Sequence, residues 1–392
     1  MRGHVDADAL VACTRALVEV DTQNPPGNEQ AVLPVVRHLL EPFDPRFEEV
    51  EPAPGRASLV ATIGTGGGDR PTLIVNGHLD VVPVDGPGWT CDPFAGRLDG
   101  DRLYGRGTAD MKGGIAAAVE ALHALRRAGR QPSCDLAFHL VADEERGGAL
   151  GTQALVDAGA VRGDACLVPE PTGLAVCVAE RGLMVATITV FGRPAHGSEP
   201  RRGVSAVEMA AKVVLALHAA DFGGPAHPLL GTPTCNVGVI EGGSGHNTVA
   251  ERCALTVDRR LLPGMTRAEA EAGLRARIDA IDDGDLRYEL EVSVYGEASE
   301  LDAGHGLVDQ VQAAMVAALG QPAPVIGMGF TTDARFVRNQ AGIPAVVCGP
   351  GEVSQAHVHD EWVAVSRLVD AAAVYAELFA SFAPATAATR TS

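Results

Sequence analysis

The sequence predicts a two-domain protein in which a large α/β domain is interrupted by a smaller α+β domain. Three observations predict it. At 392 residues the chain is longer than one ordinary hydrophobic core organises. Its first part alternates helical and strand-like segments, the α/β pattern. Near Glu180 the order becomes β-α-β-β-α-β, which closes on itself as a split β-α-β sandwich.

Each element has its own signal. Helices are expected near Ala9 to Val20 and near Glu29 to Leu40, and strands at Ser58–Ile63 and Thr72–Asn76. Between those strands the run "GTGGG" (Gly64–Gly68) reads as a hairpin turn; a strand rather than a helix follows it, which argues against a phosphate cradle. From Lys112 to Ala128, Ile115, Val119, Leu122 and Leu125 share one helical face, and Gly129 is placed to stop the helix. The apolar run Leu136 to Ala142 reads as a mostly buried strand that extends to Glu145, and Ala165–Val168 as another, ending just before Glu170. A strand at Leu183–Phe191, a helix at Val204–Ala219 and strands near Thr234–Ile240 and Cys253–Leu262 follow. Thr266-Arg-Ala-Glu269 is a capping-box signature that opens a helix to about Ile281, and Tyr288–Tyr295 closes the insertion as a strand. A helix at Gly306–Leu319 and a strand at Ala345–Cys348 return to the first pattern. Residues 1–181 and 296–392 are thus assigned to the large domain and 182–295 to the insertion, with a frayed tail after Ala383.

Composition narrows the function. A formal charge of −19 repels phosphate backbones and anionic lipid, so neither nucleic acid nor a membrane surface is expected as a partner. The N-terminal residues lack an apolar signal-type run and no segment approaches a membrane span, so the cytoplasm is the expected location. The eight cysteines form no Cys-x-x-Cys pair and read as reduced core residues. No Gly-x-Ser-x-Gly elbow supports a serine hydrolase.

"LVADEERGG" places Asp143, Glu144 and Glu145 directly after an apolar strand, where unpaired carboxylates are costly. Three other loops carry similar side chains at strand ends: His78 and Asp80 in "VNGHLD", Glu170 in "VPEPTG", His357 and His359 in "QAHVHDE". Asp110, in "GRGTADMKGG", stands at the entrance of the helix that begins at Lys112. Singly, each is an ordinary loop, turn or cap residue. Together, carboxylates converging on the ligand-binding edge of an α/β sheet would repel one another and call for a cation. Imidazole and carboxylate without thiolate favour Zn²⁺, with Co²⁺ and Mn²⁺ as alternatives. The ligands are too many for one tetrahedral ion, and two ions ~3.5–4 Å apart, bridged by a carboxylate, would use them.

The motifs "GHLDVVP", "GRGTADMKGG", "ADEERGG", "PEPTG" and "AHVHDE", in that order, resemble the signature of the M20 family of metallopeptidases and deacylases, over nearly the whole chain. The resemblance implies a zinc-peptidase-like catalytic α/β domain with a mixed sheet and an inserted ferredoxin-like lid, through which a homodimer often forms. It implies two zinc ions per chain bridged by Asp110, with His78 and Glu170 on one and Glu145 and His357 on the other. Asp80 would fix the imidazole of His78, and Glu144 would be the general base; pointing opposite ways in an extended segment, Glu144 and Glu145 could divide these roles. His359 is left structural or supporting. His196, in "GRPAHGSEP", would stabilise the oxyanion, in cis or from a partner chain.

The chemistry implied is hydrolysis of a linear amide, with Glu144 taking a proton from the attacking water and giving it to the leaving amine. Arg260, in "TVDRRLLPG", matches the arginine that family members turn to a substrate carboxylate, and strand alternation sends Arg259 to the opposite face. Asn247 and Thr332 are further polar-contact candidates. The texture is most similar to the acetylornithine deacetylase and succinyl-diaminopimelate desuccinylase branch, so an N-acyl amino acid losing an acetyl- or succinyl-type group is the leading expectation. An M20-type dipeptidase or glutamate-type carboxypeptidase acting on a short peptide would share every site residue. A catalytically silent ligand-binding homologue is the alternative of another class, and the presence of Glu144 and all five ligand positions argues against it.

Overall fold

Four apolar runs of the sequence, Asp135–Val141, Thr72–His78, Ala165–Pro171 and Ala345–Gly349, lie side by side as parallel strands in that spatial order. The structure, a computed structural model, describes residues 1–64 and 70–384. Within it the chain divides into two compact units: Met1–Val178 with Leu301–Ile326 and Thr332–Ser392, and Ala179–Glu300 with Gly327–Thr331. The second is wider than the expected 182–295 and takes in a distant segment.

In the first unit the parallel strands are extended on one side by the antiparallel strands Arg56–Ile63 and Arg46–Ala53, and on the other by Val176–Glu180. Asp135–Val141, Ala165–Pro171 and Ala345–Gly349 are buried at every position, as strands covered on both faces must be. Helices Ala7–Val18, Lys112–Arg127, Gly306–Leu319 and Val365–Ser381 pack together and share one core with the sheet. Because the four central strands are parallel, their carboxyl ends open on one edge.

Several expectations need correcting. Arg56–Ile63 and Thr72–His78 are not a hairpin, because Asp135–Val141 lies between them and pairs with both; apart from Gly64, the glycine run itself lies outside the described residues, as does the tail beyond Pro384. The strand before the acidic triplet ends at Val141. Asp143 adopts a left-handed φ of 67°, and Glu144–Arg146 is a 3₁₀ turn, so Glu144 and Glu145 are separated by a turn and not by strand alternation. Ala165–Pro171 runs through Glu170 instead of stopping before it. The exposed edge strand Arg46–Ala53 was not foreseen.

The second unit carries a four-stranded antiparallel sheet in the order Thr234–Gly242, Arg252–Leu261, Gly182–Phe191, Arg287–Gly296. Alternate residues of the central strands, including Ala186, Ile188, Leu255 and Val257, meet helices Ala206–Leu217 and Arg267–Asp279 in one core. The capping box is present, with Thr266 and Glu269 exchanging hydrogen bonds at the second helix. All eight cysteines are free, and burial pushes the thiols of Cys166 and Cys348 up to about 12, which leaves them inert at neutral pH. Among the described residues no helix is long and apolar enough to cross a membrane.

Candidate metal centre

His78 ends the strand Thr72–His78 and is almost wholly buried. Its Nδ1 lies 2.9 Å from the backbone oxygen of Asp80, a group that only accepts, so the ring donates there and turns Nε2 to the cluster. Nε2 stands 3.0 Å from Asp110 Oδ1 and 3.5 Å from Glu170 Oε1. The other oxygen of Asp110, Oδ2, lies 3.4 Å from Nε2 of His357, and that nitrogen is 3.0 Å from Glu145 Oε2. His78, Asp110 and Glu170 form one triad and Asp110, Glu145 and His357 a second; within each, the ligand atoms lie within 4.8 Å of one another. Asp110 is common to both and gives each a different oxygen.

Two local features place that carboxylate. The helix Lys112–Arg127 starts against the strand bearing Glu170, and a Cβ on Gly114 would fall 2.1 Å from the Pro169 carbonyl oxygen, so only glycine permits the approach. The Asp110 loop is held from below by Glu361, a fully buried carboxylate that accepts the N–H groups of Gly107, Ala109 and Asp110 and pairs with Arg106 at 2.7 Å.

The electrostatics show what the cluster lacks. Burial pushes Glu170 up to about 8, with Asp110 adding to the rise, and burial and Asp110 likewise raise Glu145. Burial and the neighbouring Glu170 drive Glu144 well above the usual carboxylate range. Hydrogen bonds to Asp110 and Glu145 raise His357 to about 10. Burial alone would raise Asp110, but hydrogen bonds from His357 and His78 outweigh it and hold it down. The groups compete for too little positive charge, and divalent cations would supply it. The donor set fits them: ligand atoms placed tetrahedrally around a Zn²⁺ ion lie about 3.3 Å apart, and the imidazole–carboxylate separations here are 3.0–3.5 Å.

Asp80 does more than expected. Its carboxylate stands 3.5 Å from His78 Nδ1, farther than its backbone oxygen, and also accepts the N–H groups of Glu144 at 3.1 Å and Glu145 at 3.2 Å, and the amide of Asn24 at 2.9 Å. Nor do all three acids of the triplet look to a metal: Asp143 turns away to Arg56 at 2.9 Å, a partner 87 residues distant that a search among sequence neighbours misses. Glu144 belongs to neither triad. His359 reaches the backbone oxygen of Asp85 at 2.8 Å and meets Trp89 edge-on. Thr332 is buried, and its hydroxyl accepts the N–H of Ala334 at the start of a short helix. Sequence reasoning also missed Asn24 and Glu361; the only signal for the latter was its place in the "HDE" string.

In the second unit, His196 is exposed and its Nδ1 lies 2.7 Å from Ser198 Oγ. Its backbone bridges to Thr248, beside the exposed Asn247. Arg260 is part-exposed and already engaged, with Nε 2.9 Å and Nη2 3.1 Å from the two carboxylate oxygens of Asp258. Arg259 points to the opposite face, buried, donating to the Ala270 oxygen with its guanidinium 3.9 Å above the Phe222 ring.

Residues 74–381 match the profile of peptidase family M20/M25/M40. The acetylornithine deacetylase of Proteus mirabilis (strain HI4320) is 30% identical over 379 residues, covering 94% of each chain. The succinyl-diaminopimelate desuccinylase of Methylobacterium sp. (strain 4-46) is 33% identical over 348 residues, 85% of this chain and 86% of that one. The fold is shared with the Bacillus subtilis YXEP protein, described as a dinuclear metal binding peptidase, at a TM-score of 0.71 and 16% identity over 95% of this chain and 97% of that one.

Proposed function

The chain belongs to peptidase family M20/M25/M40 and is a metal-dependent amide hydrolase, and from that premise we propose that it removes an acetyl- or succinyl-type group from an N-acyl amino acid at a site for two Zn²⁺-class ions. The observation that carries the reading is Asp110, whose two oxygens serve two separate imidazole–carboxylate triads. His78 and Glu170 would hold one ion, Glu145 and His357 the other, and Asp110 both. Bound there, the ions would supply Lewis acidity that polarises the substrate carbonyl and acidifies water.

The chain's own groups do the rest. Glu144, in neither triad, is the carboxylate left to accept the proton of the attacking water and deliver it to the departing amine nitrogen. Asp80 fixes that residue's backbone through its N–H. His196, Asn247 and Arg260 are assigned to substrate recognition on family resemblance, His196 for the oxyanion and Arg260 for a carboxylate. Asp258 occupies the Nε–Nη2 edge of the guanidinium, so a carboxylate bound by Arg260 would either displace it or use the Nη1 end. The same reading assigns the second unit to contact with a second copy of the chain. Supporting it, Leu215 is 85% exposed on the helix Ala206–Leu217, and Val239 and Ile240 stand exposed on the edge strand Thr234–Gly242.

The test is a hydrolysis screen of purified protein, loaded with Zn²⁺ or Co²⁺, against N-acetyl, N-succinyl and N-formyl amino acids and against dipeptides. Turnover of the acyl amino acids supports the proposal; preference for dipeptides would move the assignment to the dipeptidase branch. Sedimentation at several concentrations reads the second-copy assignment, which a monomer throughout would refute.

A further inference from the structure

We propose that Arg56 is a positioning residue for the turn bearing Glu144 and Glu145, acting through Asp143 and Asn24. The inference rests on the roles given above to Glu144 as base and Glu145 as ligand. Arg56 opens the strand Arg56–Ile63, whose antiparallel register with Asp135–Val141 pairs Leu59 with Leu140. Continued three residues further, that register brings Arg56 opposite Asp143. Its guanidinium grips the fully buried Glu29 with two bonds of 2.7 Å, and the same Nη2 reaches Asp143 Oδ1 at 2.9 Å. The seat is shaped for it, since a Cβ on Gly27 would fall 2.3 Å from the guanidinium carbon.

Asp143 is thereby held at both ends. Glu29 accepts its N–H at 3.2 Å while Arg56 and the Asn24 amide, at 3.2 Å, take its carboxylate. The surroundings hold Asp143 at a left-handed φ of 67°, a conformation that Asp tolerates better than most residues with a side chain. From that conformation the Asp143 carbonyl accepts the N–H groups of Arg146 and Gly148 and closes the turn. The Asn24 amide continues the chain of bonds to Asp80, whose oxygens receive Glu144 and Glu145. The closest outputs of the network are the backbone N–H groups of those two residues; Asp143 also takes the Leu150 N–H at 3.1 Å, and the Asp80 carboxylate meets the triad of His78, Asp110 and Glu170 only at 3.5 Å, beside the 2.9 Å bond that its carbonyl already supplies to the imidazole. The arginine therefore acts chiefly on one metal position and the base, because the imidazole of the other position keeps its bond to the Asp80 carbonyl, which the network does not carry.

The experiment strips the full-length protein of metal, titrates it with Co²⁺ by calorimetry and visible absorption, and measures kcat and KM on an N-acyl amino acid that the wild type hydrolyses. In Arg56→Met the first equivalent should bind within about twofold of wild type, and the second should weaken by roughly 10–100-fold, the usual cost of losing an outer partner of a ligand. kcat should fall by a similar factor while KM moves by less than about threefold. Arg56→Lys, which keeps the charge but not the fork, should fall between. Wild-type affinity for both equivalents in Arg56→Met, or equal weakening of both, overturns the proposal. Should Arg56→Met fail to fold, Asn24→Ser decides, because it cuts the link from Asp143 to Asp80 without orphaning a charge: a selectively weakened second equivalent supports the proposal and two wild-type equivalents overturn it. Failure of the underlying reading shows separately, as a wild type that takes up fewer than two ions or hydrolyses no amide.

Discussion

The backbone oxygen of Asp80 lies 2.9 Å from Nδ1 of His78, nearer than the Asp80 carboxylate at 3.5 Å. One residue thus serves two neighbours with two different groups, its carbonyl for the imidazole and its carboxylate for the N–H groups of Glu144 and Glu145. Asp80→Asn leaves the carbonyl in place but turns an amide donor toward one of two N–H donors. It should lower kcat by roughly 10–100-fold while the ion of the His78 triad stays bound. Metal analysis decides: first loss from the His78 triad would mean that the carboxylate, not the carbonyl, orients the ring.

Glu144→Gln removes a proton acceptor that belongs to neither triad. Turnover should fall by ~10²–10⁴-fold with two ions still bound per chain. A variant depleted of metal would show that Glu144 is itself a ligand.

The two adjacent arginines of the second unit should separate by kind of damage. Arg259 is buried over Phe222, so Arg259→Ala should cost roughly 1–3 kcal/mol of stability, read as a lowered melting temperature. Arg260→Ala should instead leave melting near wild type and reduce kcat/KM for an N-acyl amino acid by roughly 2 kcal/mol or more. The substrate's carboxamide is the control. Equal impairment of acid and amide would refute carboxylate recognition by Arg260.

His139 lies in the strand Asp135–Val141 with neither ring nitrogen hydrogen-bonded, and burial lowers it to about 4. The folded protein keeps this ring neutral, whereas the unfolded chain protonates it near 6.5. Its contribution is therefore complete above about pH 6.5 and is lost as pH falls toward 4, by roughly 3 kcal/mol in all. His139→Leu should flatten that part of the stability–pH curve. Parallel wild-type and variant curves between pH 7 and 4 would contradict it.

The clustering of the candidate ligands was legible because most of their motifs follow strands, and those strands proved parallel, which gathers their ends on one edge; Asp110 comes instead from the entrance of the helix Lys112–Arg127. The second unit was legible from strict alternation in Gly182–Phe191 and Arg252–Leu261 and from the Thr266 capping box. The supports of the site were not. Arg56 and Asp143 are separated by 87 residues, and Glu361 and Asp110 by 251, so no local pattern joins them. The end of the strand at Val141 was hidden for a different reason: a single left-handed residue, Asp143, leaves no trace in hydrophobic periodicity.

The strand Ala345–Gly349 lies between Ala165–Pro171 and Val176–Glu180, which precede it in the chain by more than 160 residues. During synthesis its place stays vacant in what will be the interior of the sheet, and Ala165–Pro171 presents a bare edge to any chain able to pair with it. His357 and Glu361 emerge later still. A chain cut short before residue 345 would therefore lack His357 and leave an interior strand of the sheet unpaired.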